Sequence, residues 1–243
     1  MKAIILAAGI ASRLRPLTND KPKCLLEIGN KCLLQRTFDG LIKNGITEFI
    51  VVTGYLHEQI EKFLITQYKN ISITFIHNAY YASTNNIYSL LLAMPEALDS
   101  DVLLLDSDIL FDPQIITRLL NSTYNNAIAL NRHTLGEEEM KIIPDRQGMV
   151  KEISKTCSIE DAIGESIGIE KMSVSYIAKL YKEVKMMVDN EGLDNVFYEM
   201  AFERLIHQGY TFHIEDISDL FSMELDTIED FCSAKELIPS NLF

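Results

Sequence analysis

The chain has 243 residues, and its 35 acidic residues outnumber its 22 basic ones, so the formal net charge is −13. Duplex nucleic acid is bound mainly by a net-basic face that neutralises phosphates, so this charge argues against a nucleic-acid partner. The apolar runs are the length of strands, well short of the ~18 residues that suggest a membrane span. Four cysteines without a C-x-x-C pair predict neither a zinc site nor a disulfide, which fits the reducing cytoplasm.

The charge is distributed unevenly along the sequence. Residues 189–243 contain thirteen acidic and two basic residues, which accounts for −11 of the −13. Four basic residues crowd one short segment with only Asp20 in opposition: Arg13, Arg15, Lys21 and Lys23. An acidic protein with one basic loop is suited to binding a small anion at that loop. A solvated charged loop is the alternative interpretation.

Strands and helices alternate in the first half of the chain. The continuous apolar run 3–8 predicts a strand that is buried on both faces. Further predicted elements are a helix at 33–43, a strand at 49–53, a helix at 57–68, a strand at 71–76, a helix at 87–98 and a strand at 102–105. A helix opens at Asp112-Pro113, where Asp caps and Pro occupies the first turn. This alternation is typical of βαβ units and predicts an α/β fold with a parallel sheet.

The rhythm changes after Asn125. Shorter strands are predicted at 127–130, 149–153 and 167–171, and helices at 173–188 and 195–207. Chains of this length commonly form one α/β domain, and no stretch of Pro, Gly or Ser resembles a linker. We therefore expect a single domain, 1–243, with two halves, about 1–125 and 126–243.

A loop of small residues follows the first strand. It reads LAAGIASRLRPLT and is closed by Lys21-Pro22-Lys23. Such a loop brings backbone N–H groups against a phosphate, and the cations complete the cradle. No G-x-G-x-x-G and no Gly-Lys-Ser/Thr occurs, which excludes a dinucleotide fingerprint and a P-loop.

Two carboxylates, Asp106 and Asp108, end the strand predicted at 102–105. Their spacing places them on the same side of an extended chain. The carboxyl ends of strands face the ligand crevice in doubly wound sheets, and two hard oxygens beside a polyphosphate suit Mg²⁺. A polar loop before the next helix is the alternative, although Asp112 already serves as that cap. The D-x-D pattern also occurs in glycosyltransferases of similar topology, which keeps that enzyme class open.

The run LAAGIASRLRPLT with KPKCLLEIGNKCLL resembles the signature of nucleotidylyltransferases, which join an NTP to a phosphorylated small molecule. The resemblance implies a single Rossmann-like domain, a doubly wound, mixed and mostly parallel sheet with helices on both faces, whose first half binds the nucleotide and whose second half binds the acceptor. It also implies that Arg13 and Lys23 meet the phosphates and that Asp108 and Asp226 hold Mg²⁺. Ala11 stands where members usually carry Gly. Asp226-x-x-Glu229 is also a capping-box pattern, so a structural role stays open for Asp226.

Two further segments, around Asn85-Asn86-Ile87-Tyr88-Ser89 and Gly164 to Ile169, resemble small bacterial phosphocholine and aminoethylphosphonate cytidylyltransferases. That branch implies CTP as donor, with release of pyrophosphate, and an acceptor of the phosphocholine, phosphoethanolamine or 2-aminoethylphosphonate type. Tyr198-Glu199 stands where the branch has an aromatic-acidic pair around an ammonium group. Trp, the strongest cation-π partner, is absent here, so a primary amine rivals choline. Tyr80, Tyr81, Tyr88 and Tyr198 are the candidates for an aromatic cage.

The candidate residues fall into three groups. The catalytic residues are Arg13, Lys23, Asp108 and Asp226, of which the last two are the metal ligands. The nucleotide-binding residues are Leu6, Ala7, Ala8, Gly9, Ile10, Ala11, Ser12, Arg13, Lys23, Thr53, Gly54, Tyr55, Asn85 and Asp106. The acceptor-binding residues are Asn86, Tyr88, Lys155, Glu165, Tyr198 and Glu199. A sugar- or polyol-phosphate enzyme using CTP, UTP, dTTP or GTP and a non-catalytic nucleotide-binding module remain alternatives, and we expect a monomer or homodimer.

Overall fold

The computed structural model describes residues 1–242, apart from the side chain of residue 241. The strands are β1 Lys2–Ala7, β2 Glu27–Ile28, β3 Lys31–Cys32, β4 Glu48–Thr53, β5 Ser72–His77, β6 Val102–Asp106, β7 Ile109–Phe111, β8 Ala127–Asn131, β9 Lys141–Pro144, β10 Val150–Ser154, β11 Gly164–Met172, β12 His213–Asp216 and β13 Ser222–Glu224. The α-helices are α1 Leu33–Lys43, α2 His57–Gln67, α3 Asn86–Ala93, α4 Gln114–Asn121, α5 Val174–Asp189, α6 Glu199–His207 and α7 Ile228–Leu237.

A mixed sheet forms the centre of the molecule. Within residues 1–242 it has nine strands, with the order β5-β4-β1-β6-β11-β9-β10, and β8 joins β11 to β12. Strands β5, β4, β1 and β6 are parallel to one another, and β11 runs antiparallel to β6. The chain therefore has the α/β fold that the sequence predicts, and every antiparallel pairing in the central sheet involves a strand of the second half. Because β11 runs against β6, its first residues lie at the edge where β1 and β6 end.

Helices cover both faces of the sheet, and the alternation of residues along β1 shows why. Ile4 and Leu6 pack in one apolar cluster with residues of α3, α5 and α6. Ala3 and Ile5 pack in a second cluster with residues of α1, α2 and α4. A strand whose successive side chains point to opposite faces must be apolar throughout when both faces are covered, which is the pattern of the run 3–8. Both clusters include residues from before and after residue 125.

A third apolar cluster joins the two ends of the chain. It contains Leu14 from the loop after β1, Leu110 from β7, Leu225 beside β13 and Phe231 from α7. Strand β13 pairs antiparallel with β7, with Glu224 opposite Ile109. The cluster therefore brings the acidic C-terminal segment to the loop after β1.

Three predicted helix boundaries need correction. The helix predicted at 87–98 ends at Ala93 and continues as a 3₁₀ turn at Met94–Ala97, where Pro95 lacks an N–H for a longer α-helix. The helix predicted at 195–207 begins only at Glu199, because the amide of Tyr198 donates to Oδ1 of Asn86 at 2.9 Å, a contact outside any helix.

The third correction concerns the capping box, which joins Thr227 and Asp230 instead of Asp226 and Glu229. The side chain of Asp226 is therefore not used as a helix cap. By contrast, Asp112 accepts the amide of Gln114 at 2.8 Å where α4 begins, as the sequence predicts for a capping residue. Among the helices of residues 1–242, none combines the length and the apolar character that crossing a bilayer requires.

Candidate active site

A cleft of about 500 Å³ opens at the edge of the sheet where β1 and β6 end. It is lined by most of the residues that the sequence singles out. These are Leu6, Ala7, Ala8, Gly9, Ile10, Ala11, Ser12, Arg13, Lys23, Asn85, Asn86, Asp106, Asp108, Lys155, Glu165, Glu199 and Asp226. The fold thus brings together side chains from the first 25 residues, the middle of the chain and its acidic end.

The loop after β1 is held in a compact turn. Ala11 lies in the left-handed region with φ 52° and ψ 51°, which is the conformation that glycine adopts without strain. Its carbonyl accepts the hydroxyl of Thr18 at 2.9 Å and the amide of Leu14 at 3.1 Å. The hydroxyl of Tyr55 donates to the carbonyls of Thr18 and Asn19 at 3.0 and 2.7 Å. These contacts fix the loop before any ligand arrives.

Two cations and two carboxylates meet at the mouth of this loop. Lys23 Nζ lies 3.0 Å from Oδ2 of Asp108 and 2.7 Å from Oδ1 of Asp226, and Arg13 pairs with the other oxygen of Asp226. Burial opposes the charge of Lys23, but the two carboxylates outweigh it and raise its pKa. Burial likewise opposes the charge of Asp226, and Lys23 and Arg13 nevertheless lower its pKa. Lys23 and Asp226 are therefore charged at neutral pH, and each lies against groups of opposite charge.

Glu224 is a third carboxylate beside Asp108 and Asp226, and it is not among the residues predicted from the sequence. Carboxylate oxygens of Asp108, Glu224 and Asp226 lie within 4.8 Å of one another, an all-oxygen donor set that suits a hard divalent cation. The pairing of β13 with β7 and a bond from the amide of Leu225 to the carbonyl of Asp108 (3.1 Å) bring them together. Burial, followed by repulsion from Asp108 and Asp226, raises the pKa of Glu224 to about 8. A divalent metal ion bound among the three carboxylates would reduce the repulsion between them.

The sequence feature that indicates Glu224 is its i, i+2 spacing from Asp226. It repeats the spacing of Asp106 and Asp108, from which the metal site was predicted. Glu138, Glu139 and Phe197 also line the cleft and carry no comparable local signal.

Two acids, half-buried Asp106 and fully buried Glu170, lie at the floor of the cleft. Oδ2 of Asp106 accepts the hydroxyl of Tyr198 at 3.1 Å, and Gly168 packs so closely that an added Cβ would lie 2.7 Å from that oxygen. Glu170 is fully buried behind it, with Oε1 accepting the hydroxyl of Ser166 at 3.3 Å. Burial is the main reason that the pKa values of Asp106 and Glu170 lie well above their usual range.

An acidic wall forms the side of the cleft contributed by the second half of the chain. We give this name to the carboxylates of Glu138, Glu139, Glu165 and Glu199. The segment that carries the first two is held by Lys141, which is 1% exposed and donates to the carbonyls of residues 136, 137 and 139 at 3.0 to 3.3 Å. Basic side chains lie against the wall: Lys155 Nζ is 3.5 Å from Glu138 and 4.7 Å from the ring centre of Phe197, and Nε2 of His133 is 2.7 Å from Oε1 of Glu165.

Five predicted site residues lie outside the cleft lining in the described part of the chain. Thr53 is fully buried and donates to Glu61 at 3.2 Å, and Gly54 packs against Ala8, where a Cβ would lie 2.6 Å from the carbonyl oxygen. Tyr55 supports the loop through its hydroxyl, as described above. These three residues support the loop after β1 from behind.

Tyr88 and Tyr198, assigned to the acceptor, are also off the lining. Tyr198 is fully buried and reaches the cleft only through its bond to Asp106. Tyr88 packs edge-on against Tyr80, whose ring centre is 6.0 Å away and which is 62% exposed. Of the four tyrosines proposed for an aromatic cage, Tyr81 lines the cleft within residues 1–242. The four rings therefore do not line the cleft together.

Comparisons with known proteins agree with this arrangement. A profile of the nucleotidyl transferase family matches residues 2–142. The chain is 30% identical to a choline-phosphate cytidylyltransferase of Streptococcus pneumoniae, over 98% of each chain. It is 26% identical to a CMP-5'-(3-aminopropyl)phosphonate synthase of Streptomyces rubellomurinus over 93% of this chain, which spans only 37% of that relative's length.

A solved structure of the CTP:phosphocholine cytidylyltransferase from Streptococcus pneumoniae shares the fold. Its TM-score is 0.80 at 24% identity, with 98% of this chain and 99% of that chain covered. The profile match includes the loop after β1 and Asp108, and the full-length match also includes the segment that carries Asp226. These similarities favour a nucleotidyl transferase over a D-x-D glycosyltransferase. The chain is an enzyme of the nucleotidyl transferase family.

Proposed function

We propose that the protein transfers CMP from CTP to the phosphate or phosphonate of a small acceptor and releases pyrophosphate. The observation that carries this proposal is the meeting of Arg13 and Lys23 with the carboxylates of Asp108 and Asp226 at the mouth of the small-residue loop. Triphosphate binding needs the cations, and a divalent cation needs the carboxylates. The choice of CTP rests on the two cytidylyl-transferring relatives described above.

In the proposed reaction, an oxygen of the acceptor's phosphate attacks the α-phosphorus of CTP in line. A phosphate monoester has its second pKa near 6, so it is largely dianionic at neutral pH and needs no general base. The barrier lies in bringing a dianion to a tetra-anion, so catalysis consists of positioning and charge neutralisation. Arg13 and Lys23 bind the triphosphate and neutralise the pyrophosphate that leaves.

Asp108, Glu224 and Asp226 are the residues that would hold Mg²⁺. The ion would supply positive charge at the phosphates and shield the attacking oxygen from repulsion. Lys23 Nζ contacts both Asp108 and Asp226, so a metal ion held by these carboxylates requires this side chain to turn from them towards the phosphates. We further propose that 1–243 is one domain, in which 1–125 contribute most of the nucleotide contacts and 126–243 most of the acceptor contacts.

A pyrophosphate-release screen tests this function. It crosses CTP, UTP, dTTP and GTP with phosphocholine, phosphoethanolamine, 2-aminoethylphosphonate, inositol phosphate and several sugar phosphates. We expect turnover with CTP and one of the small nitrogen-containing acceptors. Preference for UTP or dTTP with a sugar phosphate would replace this proposal with the sugar-phosphate alternative, and tight CTP binding without turnover would indicate a non-catalytic module.

A further inference from the structure

One lysine, Lys141, is buried behind the cleft and does not line it. It is the first residue of β9 and is 1% exposed. Its Nζ donates to the carbonyl oxygens of Gly136, Glu137 and Glu139 at 3.0, 3.3 and 3.3 Å, which gives one acceptor for each of its three N–H groups. Burying an ammonium group is costly, and an apolar side chain would fill the same space without that cost. The charge of Lys141 is therefore used to hold these three carbonyls.

The carbonyls belong to a segment without regular secondary structure. Residues 132–140 connect β8 with β9 and form neither helix nor strand. Within this connection, the amide of Gly136 donates to Oε2 of Glu139 at 2.8 Å, which closes a short turn. Buried backbone carbonyls outside helices and strands need other donors. Lys141 supplies those donors, so its ammonium decides where this part of the backbone lies.

The same segment forms part of the cleft. Glu138, Glu139 and Met140 line it, and the carbonyl of Met140 accepts the amide of Ser166, another lining residue, at 2.8 Å. The carboxylate of Glu138 lies 3.5 Å from Nζ of Lys155, which is one of the acceptor-binding candidates. The segment that Lys141 holds therefore lies on the side of the cleft contributed by the second half of the chain.

We propose that Lys141 is a positioning residue for acceptor binding, because its ammonium holds the segment 136–140 in the conformation that forms one side of the cleft. This inference rests on the proposed function and adds to it a residue that touches neither substrate. Backbone carbonyl oxygens also bind free monovalent cations. A cation supplied in solution therefore replaces the ammonium of Lys141 once the side chain has been shortened.

Lys141→Met tests the role of the charge, because it keeps an unbranched apolar side chain and removes the three donors. Pyrophosphate release is measured with the full-length chain, CTP, Mg²⁺ and the best acceptor of the pyrophosphate-release screen. We expect the KM for the acceptor to rise by about 10-fold and the KM for CTP to stay within about 2-fold of wild type. Lys151→Met is the matched control, since Lys151 is an exposed residue of β10 outside the cleft lining. Direct titration with CTP shows whether each variant retains a folded nucleotide site.

Lys141→Ala makes the cation replaceable. The atoms that this substitution removes, three carbons and the ammonium nitrogen, are those of propylammonium. We expect propylammonium chloride to lower the acceptor KM of Lys141→Ala by about 3-fold or more, in a saturable manner. Tetramethylammonium chloride has no N–H and controls for ionic strength, and 1-propanol has the same shape without the charge and controls for filling of the cavity. Neither control compound is expected to restore the acceptor KM.

A second pair of variants perturbs the segment and leaves Lys141 in place. Glu139→Ala and Glu138→Ala each remove one carboxylate from the acidic wall, but only Glu139 binds the amide of Gly136. We expect Glu139→Ala to raise the acceptor KM by about 3-fold more than Glu138→Ala does, because it also loosens the turn. Equal effects would show that the charge of the wall matters and the position of the segment does not.

The outcomes separate the inference from the function. An unchanged acceptor KM in Lys141→Met, equal rises in the KM for the acceptor and for CTP, or rescue of Lys141→Ala by 1-propanol overturns the inference and leaves the proposed function standing. If the Lys141 variants fail to bind CTP, the comparison of Glu139→Ala with Glu138→Ala decides. Absence of turnover by wild type with every small acceptor, or turnover with UTP and a sugar phosphate alone, overturns the proposed function and the inference together.

Discussion

The two sides of the cleft differ in how completely their charges are compensated. On the loop side, Arg13 and Lys23 are paired with Asp108 and Asp226, and the loop itself is fixed by hydrogen bonds from Thr18 and Tyr55. On the side of the acidic wall, Oε2 of Glu199 has no donor within residues 1–242. On the loop side, a ligand can bind by replacing the carboxylates as partners of Arg13 and Lys23. On the side of the acidic wall, a ligand can bind by supplying positive charge.

This difference teaches how one cleft handles two anionic substrates. In the proposed function, the triphosphate exchanges its charge with cations that are already present. The acceptor then brings its phosphate past an acidic surface, and positive charge on the acceptor favours that approach. Negative charge is compensated on the loop side and in excess on the side of the acidic wall. A substitution on one side is therefore expected to change nucleotide binding or acceptor choice, but not both.

The largest effect is expected on the compensated side. Asp108→Ala removes a carboxylate of the candidate metal cluster and a partner of Lys23. We expect turnover to fall by about 10²- to 10³-fold or more, since the lost group acts on charge that develops during the reaction. Pyrophosphate release measures the effect, and circular dichroism checks the fold. Asp99→Ala, at an exposed carboxylate outside the cleft, is the control; near-normal turnover of Asp108→Ala would remove this residue from the site.

An intermediate effect is expected on the wall side and depends on pH. Burial raises the pKa of Glu199 to about 7, against the opposing influence of its backbone and Lys155. A carboxyl with a raised pKa is neutral below it, so the KM of a cationic acceptor should rise as the pH falls from 8 to 6, by about 10-fold in total over that range.

Glu199→Gln isolates this effect from ionisation of the acceptor itself. The variant retains the titration of the acceptor phosphate and loses that of the side chain, so the difference between the two KM profiles belongs to Glu199. The KM for CTP, measured in the same series, should show no such difference. Identical acceptor profiles for wild type and variant would mean that the charge of Glu199 does not contribute to acceptor binding.

The smallest effect concerns the left-handed residue of the loop. Ala11→Gly removes a Cβ from a conformation that costs an L-residue about 1 kcal/mol, but it also adds entropy to the unfolded chain, so we expect little net change in melting temperature. Ala11→Val adds branching at the same backbone angles and should raise the KM for CTP several-fold while the KM for the acceptor stays constant. Equal changes in both constants would show that the two sides are not independent.

The parts of the site that the sequence predicts are those with a local pattern. The buried first strand, the small-residue loop and the D-x-D at the end of β6 each occupy a few consecutive residues. Parallel topology then places the ends of β1 and β6 at one edge. The resemblance alone indicates Asp226 as a metal ligand. Its side chain is not used as a helix cap, because Thr227 and Asp230 form the capping box.

The remaining parts depend on contacts between distant segments. Tyrosine is a common ligand-binding residue, but the hydroxyl of Tyr198 donates to Asp106 beneath the cleft. This contact spans 92 residues of the sequence. Glu138 and Glu139 occur in an ordinary acidic run, and they reach the cleft because Lys141 binds the carbonyls of their segment. The hydrophobic periodicity of the sequence predicts neither the position of Tyr198 nor that of Glu138 and Glu139. Both depend on which residue forms the hydrogen bond.

The pairing of β13 with β7 has a consequence for the order in which the protein becomes functional. Lys23 and Asp226 are 203 residues apart, so the ion pair closes nearly the whole chain into one loop. Contacts of such long range form late, because the entropy of closing the loop must be overcome first. During synthesis, the loop after β1 emerges early but remains without its acidic partners until residue 226 has left the ribosome. In the proposed function, nucleotide binding is thus deferred until the segment that carries Asp226 has been synthesised.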